Sequence, residues 1–261
     1  MLSVTTDYVT SKGDPSPYLR RIADAGFTHL HWCHQWNTDF LYSKWEVDQI
    51  ERWLKEFGLQ LLDLHASVGP EKNWYSEQEY ERLSGVELVQ NRIDVTSRLG
   101  GEVIIMHIPK DPECAPLRKS LDALEPYARD HGVRIAVENG DYTVIRRLLS
   151  EYDPGFLGTC YDSGHGNMAG DGLDNLDDCK DRLISLHMND NDSTGDQHQP
   201  IFMGTVDWER LAGIIGGSSY RKCVSMEIVT RNSGIEDETE FLKHAFETGT
   251  RFTKMIDRHR G

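Results

Sequence analysis

The chain has 261 residues, of which 38 % are hydrophobic and 27 % are charged, and its formal net charge is −15 at pH 7. This composition is that of a globular protein with a sizeable core, and the length suits one large domain or two small ones. The acidic excess repels phosphate backbones, which disfavours nucleic-acid binding, and it favours bound cations.

The five cysteines are odd in number, widely scattered and free of any Cys-x-x-Cys pair. We therefore expect reduced thiols, as in a cytoplasmic protein, rather than a disulfide framework or a zinc ribbon. Residues 1–7 lack the basic and apolar regions of a signal peptide. Because no apolar run approaches the ~20 residues that a membrane helix needs, we expect a soluble protein.

Short β-rich segments alternate with amphipathic stretches from one end of the chain to the other. The predicted strands are Leu2–Thr6, Thr28–Cys33, Gln60–Leu64, Val103–His107, Arg134–Glu138, Leu157–Tyr161, Leu183–His187 and Cys223–Ile228. Apolar residues between them recur at helical spacing, as in Val47-Ile50-Trp53-Leu54-Phe57. Gly26 and Gly58 stand where a helix C-cap requires positive φ.

The regular alternation predicts the fold class. Strands that are near-continuous apolar runs are typical of a parallel sheet that is buried on both faces. No linker or composition shift divides the chain, so we expect one α/β domain over residues 1–261, a (β/α)₈ barrel. A doubly wound open sheet is the alternative, and the absence of a Gly-rich dinucleotide loop disfavours it.

Six consecutive predicted strands, the third to the eighth, end in or contain a His, Asp or Glu where the apolar run stops. These residues are His65, His107, Glu138, Asp162, His187 and Glu227. In a barrel such strand ends converge on one mouth, where active sites are built. Taken singly, each would more often be a hydrogen-bonding or helix-capping residue. Several buried carboxylates together repel one another unless a cation compensates them, so the pattern predicts a divalent-metal site.

The ligand types narrow the choice of metal. Carboxylate oxygens and imidazole nitrogens without thiolates suit Mn²⁺, Zn²⁺, Co²⁺ or Mg²⁺ and do not suit a structural zinc site.

The strand-end motifs occur in a recognisable order. They are Val137-Glu138-Asn139, Tyr161-Asp162-Ser163-Gly164-His165, Leu186-His187-Met188-Asn189-Asp190, Gly204-Thr205-Val206-Asp207-Trp208 and Met226-Glu227. In this order the chain resembles, over nearly its whole length, the xylose-isomerase-like TIM-barrel superfamily. That superfamily holds sugar isomerases and epimerases together with the endonuclease IV family of DNA-repair enzymes.

The resemblance to the ketose epimerases implies a metal-dependent isomerase or epimerase. One divalent ion per chain would be held by Glu138, Asp162, His187 and Glu227. The two glutamates would also act as acid–base groups, moving a proton through an enediolate that the metal stabilises. The substrate would be a small sugar, a polyol or a related α-hydroxycarbonyl compound.

Further side chains are candidates for substrate contact. The resemblance gives this role to His165, and we also assign it to His65 and His107 at the neighbouring strand ends. Trp32 closes the second strand and would offer an aromatic face to sugar C–H groups, although ordinary packing under a loop explains it equally well.

The same sequence leaves a hydrolytic alternative open. The endonuclease IV pattern implies five additional zinc ligands, and this chain has a residue of the right type for each: His65, His107, His165, Asp196 and His198. Up to three ions per chain would then bind, in an abasic-site endonuclease or related multi-zinc phosphodiesterase.

Departures from the endonuclease pattern favour the isomerase. Ala66 and Ser67 follow His65 where those enzymes typically carry an aromatic residue. DNA contact also needs basic loops at the mouth. The loops after the sixth and seventh predicted strands instead carry Asp171, Asp174, Asp177, Asp178, Asp190, Asp192 and Asp196, against Lys180 and His198. We therefore expect a sugar-like substrate, no nucleic-acid or membrane partner, and an arrangement compatible with a homo-oligomer. A barrel that binds sugar or metal without catalysis is a third hypothesis.

Overall fold

A computed structural model describes residues 1–67 and 69–260 of the chain, and within these residues eight strands alternate with nine α-helices. The strands are β1 (Leu2–Thr5), β2 (His29–Trp32), β3 (Gln60–His65), β4 (Val103–Met106), β5 (Arg134–Glu138), β6 (Leu157–Asp162), β7 (Leu183–His187) and β8 (Val224–Met226). The helices are α1 (Ser16–Asp24), α2 (Lys44–Phe57), α3 (Glu79–Arg98), α4 (Ala115–Asp130), α5 (Tyr142–Glu151), α6 (Ser163–Ala169), α7 (Gly172–Cys179), α8 (Trp208–Gly217) and α9 (Glu238–Asp257). All eight predicted strands are confirmed.

The strands form one parallel sheet in the order β7-β6-β5-β4-β3-β2-β1-β8. A parallel bridge between Met188 and Met226 joins its two ends. There the backbone N–H of Met188 donates to the carbonyl of Ser225 at 2.9 Å, and that of Glu227 donates to the carbonyl of Met188 at 3.2 Å. The predicted (β/α)₈ barrel is therefore confirmed, and the open-sheet alternative is wrong.

The inward faces of the strands place polar groups above an apolar layer. Val103, Ile105, Ala136, Cys160 and Ile184 form a buried cluster that is separate from the main core between sheet and helices. Side chains alternate between the two faces of a strand, so residues two positions further along point to the same side. Ala136 and Cys160 thus precede Glu138 and Asp162 on the inner face, and the barrel interior carries the acidic groups towards its C-terminal mouth.

Helix ends follow the sequence signals. Ser43 and Glu46 form a capping box that begins α2, and Gly58 ends this helix with φ of 68°. Gly26 has φ of 97° directly after α1. Both glycine predictions are confirmed.

The structure bears on the expectations about the cysteines and about membrane helices. The five cysteines are free thiols, and four of them are buried. Among the helices of residues 1–67 and 69–260, none is both long and apolar enough to cross a membrane.

Candidate active site

Four acidic and imidazole side chains meet at the C-terminal ends of the last four strands. Glu138, Asp162, His187 and Glu227 are all buried, and each offers an oxygen or nitrogen atom within 4.8 Å of those of the others. The strand register places these residues at the same height along the barrel axis, because Asp162 pairs with His187 in the β6–β7 ladder. The structure thus brings together the four residues that the sequence suggested as metal ligands.

His187 shows that this group suits a cation. Its Nδ1 lies 2.9 Å from Oε2 of Glu227 and 3.4 Å from Oε1 of Glu138. Neither contact has hydrogen-bond geometry, and this buried nitrogen has no hydrogen-bond partner in the described part of the chain. A buried imidazole nitrogen without a hydrogen-bond partner and the carboxylate oxygens around it together form a donor set suited to a divalent ion. Glu138, Asp162, His187 and Glu227 therefore fit Mn²⁺, Zn²⁺, Co²⁺ or Mg²⁺.

Asp162 is held rigidly. Its Oδ1 accepts a hydrogen bond of 2.7 Å from the backbone N–H of His165, which caps α6, and its Oδ2 accepts one of 2.6 Å from Nδ2 of Asn189. Burial raises the pKa of this carboxyl. The two donors favour the ionised form, as a metal ligand requires. The capping role and the ligand role thus coexist in one residue.

Three further predicted residues surround Glu138. The Nε2–H of His107 donates to its Oε2 at 3.0 Å, and Nε2 of His65 lies 3.4 Å from the same oxygen. Nδ1 of His165 lies 3.3 Å from Oε1. Burial opposes ionisation of Glu138, but the imidazoles of His187 and His107 hold its pKa well below the usual range. Burial lowers the pKa of His65 to about 4, so this ring is neutral at neutral pH and one of its ring nitrogens can serve as a ligand.

The loop after β7 adds a second group of candidate ligands. Oδ1 of Asp196 lies 3.0 Å from Nε2 of His198, and its Oδ2 lies 3.5 Å from Nε2 of His165. The Nδ1–H of His198 donates to the backbone carbonyl of Glu227 at 2.9 Å, which ties this loop to the end of β8. All nine side chains named by the endonuclease IV resemblance are therefore gathered at one mouth.

Exposure divides this group into a floor and a rim. The side chains of Asp162 and His187 are fully buried, whereas those of His107, His165 and Asp196 are 46 %, 28 % and 45 % exposed. A ligand from solvent would meet the rim histidines first and reach the buried carboxylates after them.

A buried pair of side chains inside the barrel was not predicted from the sequence. Nδ1 of His31 lies 2.7 Å from Oδ1 of Asp63, and the hydroxyl of Ser185 donates to the other carboxylate oxygen. Nε2 of His31 lies 3.9 Å from Oε1 of Glu227 and has no hydrogen-bond partner in the residues described. A signal was available, because Asp63 interrupts an apolar strand two residues before His65 and so faces the same side.

Trp32, predicted to contact substrate, lies away from the cluster. Trp32 stands between the inward-facing His31 and Cys33, so it points outwards, where it is buried and its Nε1–H donates to the hydroxyl of Tyr42 at 2.9 Å. The structure does not bring Trp32 to the cluster. Trp36 lies there instead, with its ring centroid 4.6 Å from that of His65.

The aspartates near the mouth contribute less free negative charge than the sequence suggests. Asp190 is fully buried and accepts hydrogen bonds from Nε1 of Trp208 at 2.9 Å and from the backbone N–H of Val206 at 3.1 Å. Three aspartates of α7 pair with basic side chains, Asp174 with Arg210, Asp177 with Lys180 and Asp178 with Arg146. The expectation that all these groups repel a phosphate backbone is therefore corrected, since Asp190 is a structural residue and the paired aspartates are largely neutralised.

Comparison with known proteins identifies the family. Residues 19–245 match the family model described as xylose isomerase-like TIM barrel. The uncharacterized protein y4fM of Sinorhizobium fredii is 30 % identical over 275 residues, which cover 91 % of this chain and 88 % of that protein. The crystal structure of a D-tagatose 3-epimerase-like protein superposes with a TM-score of 0.79 at 17 % identity, covering 100 % of this chain and 99 % of the other. That of 3-keto-D-glucoside 4-epimerase YcjR from E. coli has a TM-score of 0.76 at 18 % identity, covering 96 % and 98 %. The chain belongs to the xylose isomerase-like TIM barrel family.

Proposed function

We propose that this protein is a metal-dependent isomerase or epimerase of a small sugar or a related α-hydroxycarbonyl compound. The observation that carries the proposal is the position of two buried glutamates, Glu138 and Glu227, at 3.4 and 2.9 Å from Nδ1 of His187, a nitrogen without a hydrogen-bond partner in the described residues. A divalent ion held by Glu138, Asp162, His187 and Glu227 would supply Lewis-acid polarisation of a carbonyl group.

The two glutamates, Glu138 and Glu227, transfer the proton. Asp162 cannot share this task, because both of its oxygens already accept hydrogen bonds from fixed donors. Glu138 is ionised beside its histidine neighbours and removes the proton from the carbon next to the carbonyl. Glu227 returns a proton to the other face or to the neighbouring carbon. One turnover adds a proton to Glu138 and removes one from Glu227, and exchange with solvent restores both carboxyls.

The rim histidines hold the substrate. His107 and His165 are partly exposed and contact Glu138, so hydroxyl or carbonyl oxygens bound by them lie within reach of that base. Relatives support a sugar as substrate, since the structures that superpose on this chain include proteins named as epimerases acting at carbon 3 or carbon 4 of sugars. The carbon that reacts in this protein is set by contacts at the rim.

A ketose panel tests the proposal. Purified protein loaded with Mn²⁺ or Co²⁺ is incubated with ketopentoses and ketohexoses, and the products are separated by chromatography. We expect an epimer or an aldose from at least one substrate, loss of turnover in Glu138→Gln and Glu227→Gln, and full activity in Glu87→Gln, an exposed glutamate of α3. Turnover that survives Glu138→Gln would contradict the assigned base.

A second candidate function rests on a separate observation. The proximity of His65 and His107 to Glu138, and of Asp196 to His165 and His198, supplies the additional ligands of a multi-zinc phosphodiesterase. Incubation with duplex DNA that carries an abasic site, in excess Zn²⁺ at physiological salt, separates the two candidates. We expect no incision. Incision that Glu138→Gln abolishes would promote the hydrolytic alternative.

A further inference from the structure

A cavity of about 380 Å³ lies at the N-terminal end of the barrel, opposite the candidate active site. Its walls come from the starts of β5 and β7, from the segments before β6 and β7, and from the segment between α8 and β8. Nothing in the proposed reaction uses this end of the molecule.

The lining of this cavity is cationic in a strongly acidic protein. It contains Arg134, Arg182, Arg221 and Lys222, of which Lys222 pairs with Glu102 at 2.9 Å, and a single lining carboxylate, that of Asp181. The chain as a whole carries a formal net charge of −15. A local excess of positive charge within an otherwise negative surface focuses the field on this cavity and favours a small anion there.

Two of these arginines have no acidic partner. Arg134 is half-buried, yet in residues 1–67 and 69–260 its guanidinium donates no hydrogen bond and forms no ion pair. Arg221 donates only to the backbone carbonyls of Ser218 and Tyr220, at 2.6 and 2.9 Å. Other arginines of the same barrel end, such as Arg129, pair with carboxylates. A guanidinium has five N–H donors, and Arg134, which lines the cavity, has no acceptor for its own among the described residues.

Arg182 adds a third donor with a fixed position. Its terminal nitrogens donate to the backbone carbonyls of Leu149, of Tyr152 at 3.0 Å and of Leu157 at 2.6 Å. These bonds hold the side chain in place, while its Nε is buried and has no partner in the described residues. The fixed guanidinium keeps its positive charge at the cavity wall, where it attracts an anion.

We propose that this cavity binds a small organic phosphate through Arg134, Arg182 and Arg221. Guanidinium groups match the paired oxygens of a phosphate, and such charge-assisted hydrogen bonds are the strong ones. The cavity is larger than a phosphate ion, and Pro154, Leu183, Ile184 and Tyr220 provide an apolar wall for the organic part. Arg134 begins the strand that ends in Glu138, so ligand and reaction occupy opposite ends of β5.

Calorimetric titration tests this proposal. The metal-loaded protein is titrated with inorganic phosphate and with glycerol 3-phosphate at constant ionic strength, and with glycerol and chloride as controls. We expect saturable binding of one equivalent of glycerol 3-phosphate, weaker binding of inorganic phosphate, and none of the controls.

Matched variants assign the binding to the cavity. Arg134→Gln and Arg221→Gln should each weaken glycerol 3-phosphate binding by at least about tenfold, the loss expected for one charge-assisted hydrogen bond. Arg52→Gln removes an exposed arginine of α2 that donates to Oε1 of Gln49, far from the cavity lining, and this variant should bind as the unaltered protein does. Because the guanidinium of Arg134 makes no hydrogen bond within the described residues, its replacement should not change the melting temperature of the free protein.

Three results would overturn the proposal. Binding of glycerol 3-phosphate that is unchanged in both Arg134→Gln and Arg221→Gln would place the ligand elsewhere, such as at the mouth. Absence of binding at millimolar concentration would show that the cationic lining is only solvated. Equal affinities for the two phosphates would contradict the assigned role of the apolar wall.

Discussion

Oδ1 of Asp63 lies 2.7 Å from Nδ1 of His31, and both side chains are buried inside the barrel. A carboxylate that accepts at this distance places a proton of His31 on Nδ1 and fixes the orientation of the ring. Nε2 of the same ring lies 3.9 Å from Oε1 of Glu227. Asp63 therefore positions a histidine that borders the candidate metal site, and its effect should be visible in both stability and turnover.

Asp63→Asn tests this role. The amide keeps the shape but loses the charge, so the hydrogen bond to His31 weakens and the ring can turn. We expect a loss of metal affinity or kcat of about 10–100-fold, the range for partners of site residues. Asp24→Asn, at an exposed position of α1, is the control. Adding His31→Gln to Asp63→Asn should cost little more, because the two residues act as one unit. Additive losses, or wild-type kinetics in Asp63→Asn, would show that the pair is only structural.

Removal of metal should destabilise the protein. Three buried carboxylates face one another at the mouth, and an ion that binds only the folded state stabilises it by mass action. Metal at a hundred times its Kd contributes about 2.7 kcal/mol, so exhaustive EDTA should lower Tm by roughly 5–10 °C. Calorimetry before and after dialysis, and again after Mn²⁺ or Co²⁺ is restored, measures this shift. A melting curve that EDTA leaves unmoved, with no metal detected by elemental analysis, would remove the basis of the metal assignment.

His165→Ala separates a mononuclear from a multinuclear site. In the proposed isomerase, His165 contacts substrate, so its loss should raise KM about tenfold and leave one equivalent of metal bound. In a trinuclear site it would be a ligand, and metal content would fall. Elemental analysis of the purified variant, with His244→Ala of α9 as a control, distinguishes these outcomes.

Gly164 is a steric requirement of the site. A Cβ at this position would overlap Oδ1 of Asn189, whose Nδ2 holds Asp162. Gly164→Ala should therefore destabilise the fold by about 1–3 kcal/mol, as overpacking does, and weaken metal binding. In Gly213→Ala the added methyl has its nearest neighbours at 4.0 Å, so this helical variant should be about 0.5–1 kcal/mol more stable. Denaturant titration of both variants provides the test. Unchanged stability in Gly164→Ala would mean that Asn189 moves aside freely.

The fold was predictable because local pattern and global architecture agree. The apolar runs gave all eight strands, and the ends of β5 and β7 coincide with those predicted, Arg134–Glu138 and Leu183–His187. Residues that end neighbouring parallel strands must meet at one edge of the sheet, so Glu138 and His187 could be brought together without coordinates. This inference needs only strand order, not side-chain geometry.

The remainder of the site depends on relationships that strand ends do not reveal. Asp63 and Ser185 meet across the barrel, 122 positions apart in the sequence, and only closure of the sheet makes them neighbours. The two tryptophans Trp32 and Trp36 look alike in the sequence, but strand alternation turns the first outwards and the loop carries the second to His65. Asp190 is buried where it accepts a hydrogen bond from Trp208, a residue that follows the loop after β7.

Deuterium incorporation from heavy water tests the central claim most directly. A carboxylic acid exchanges its proton quickly with nearby water, so in heavy water both Glu138 and Glu227 carry deuterium when they protonate carbon. On any ketose that turns over, we predict deuterium at the epimerised or isomerised carbon, and a loss of turnover of at least about 10²–10⁴-fold in Glu138→Gln and Glu227→Gln. Mass spectrometry and proton NMR of the product provide the readout. A product formed in heavy water without deuterium, even at the earliest times, would contradict proton transfer by these two glutamates.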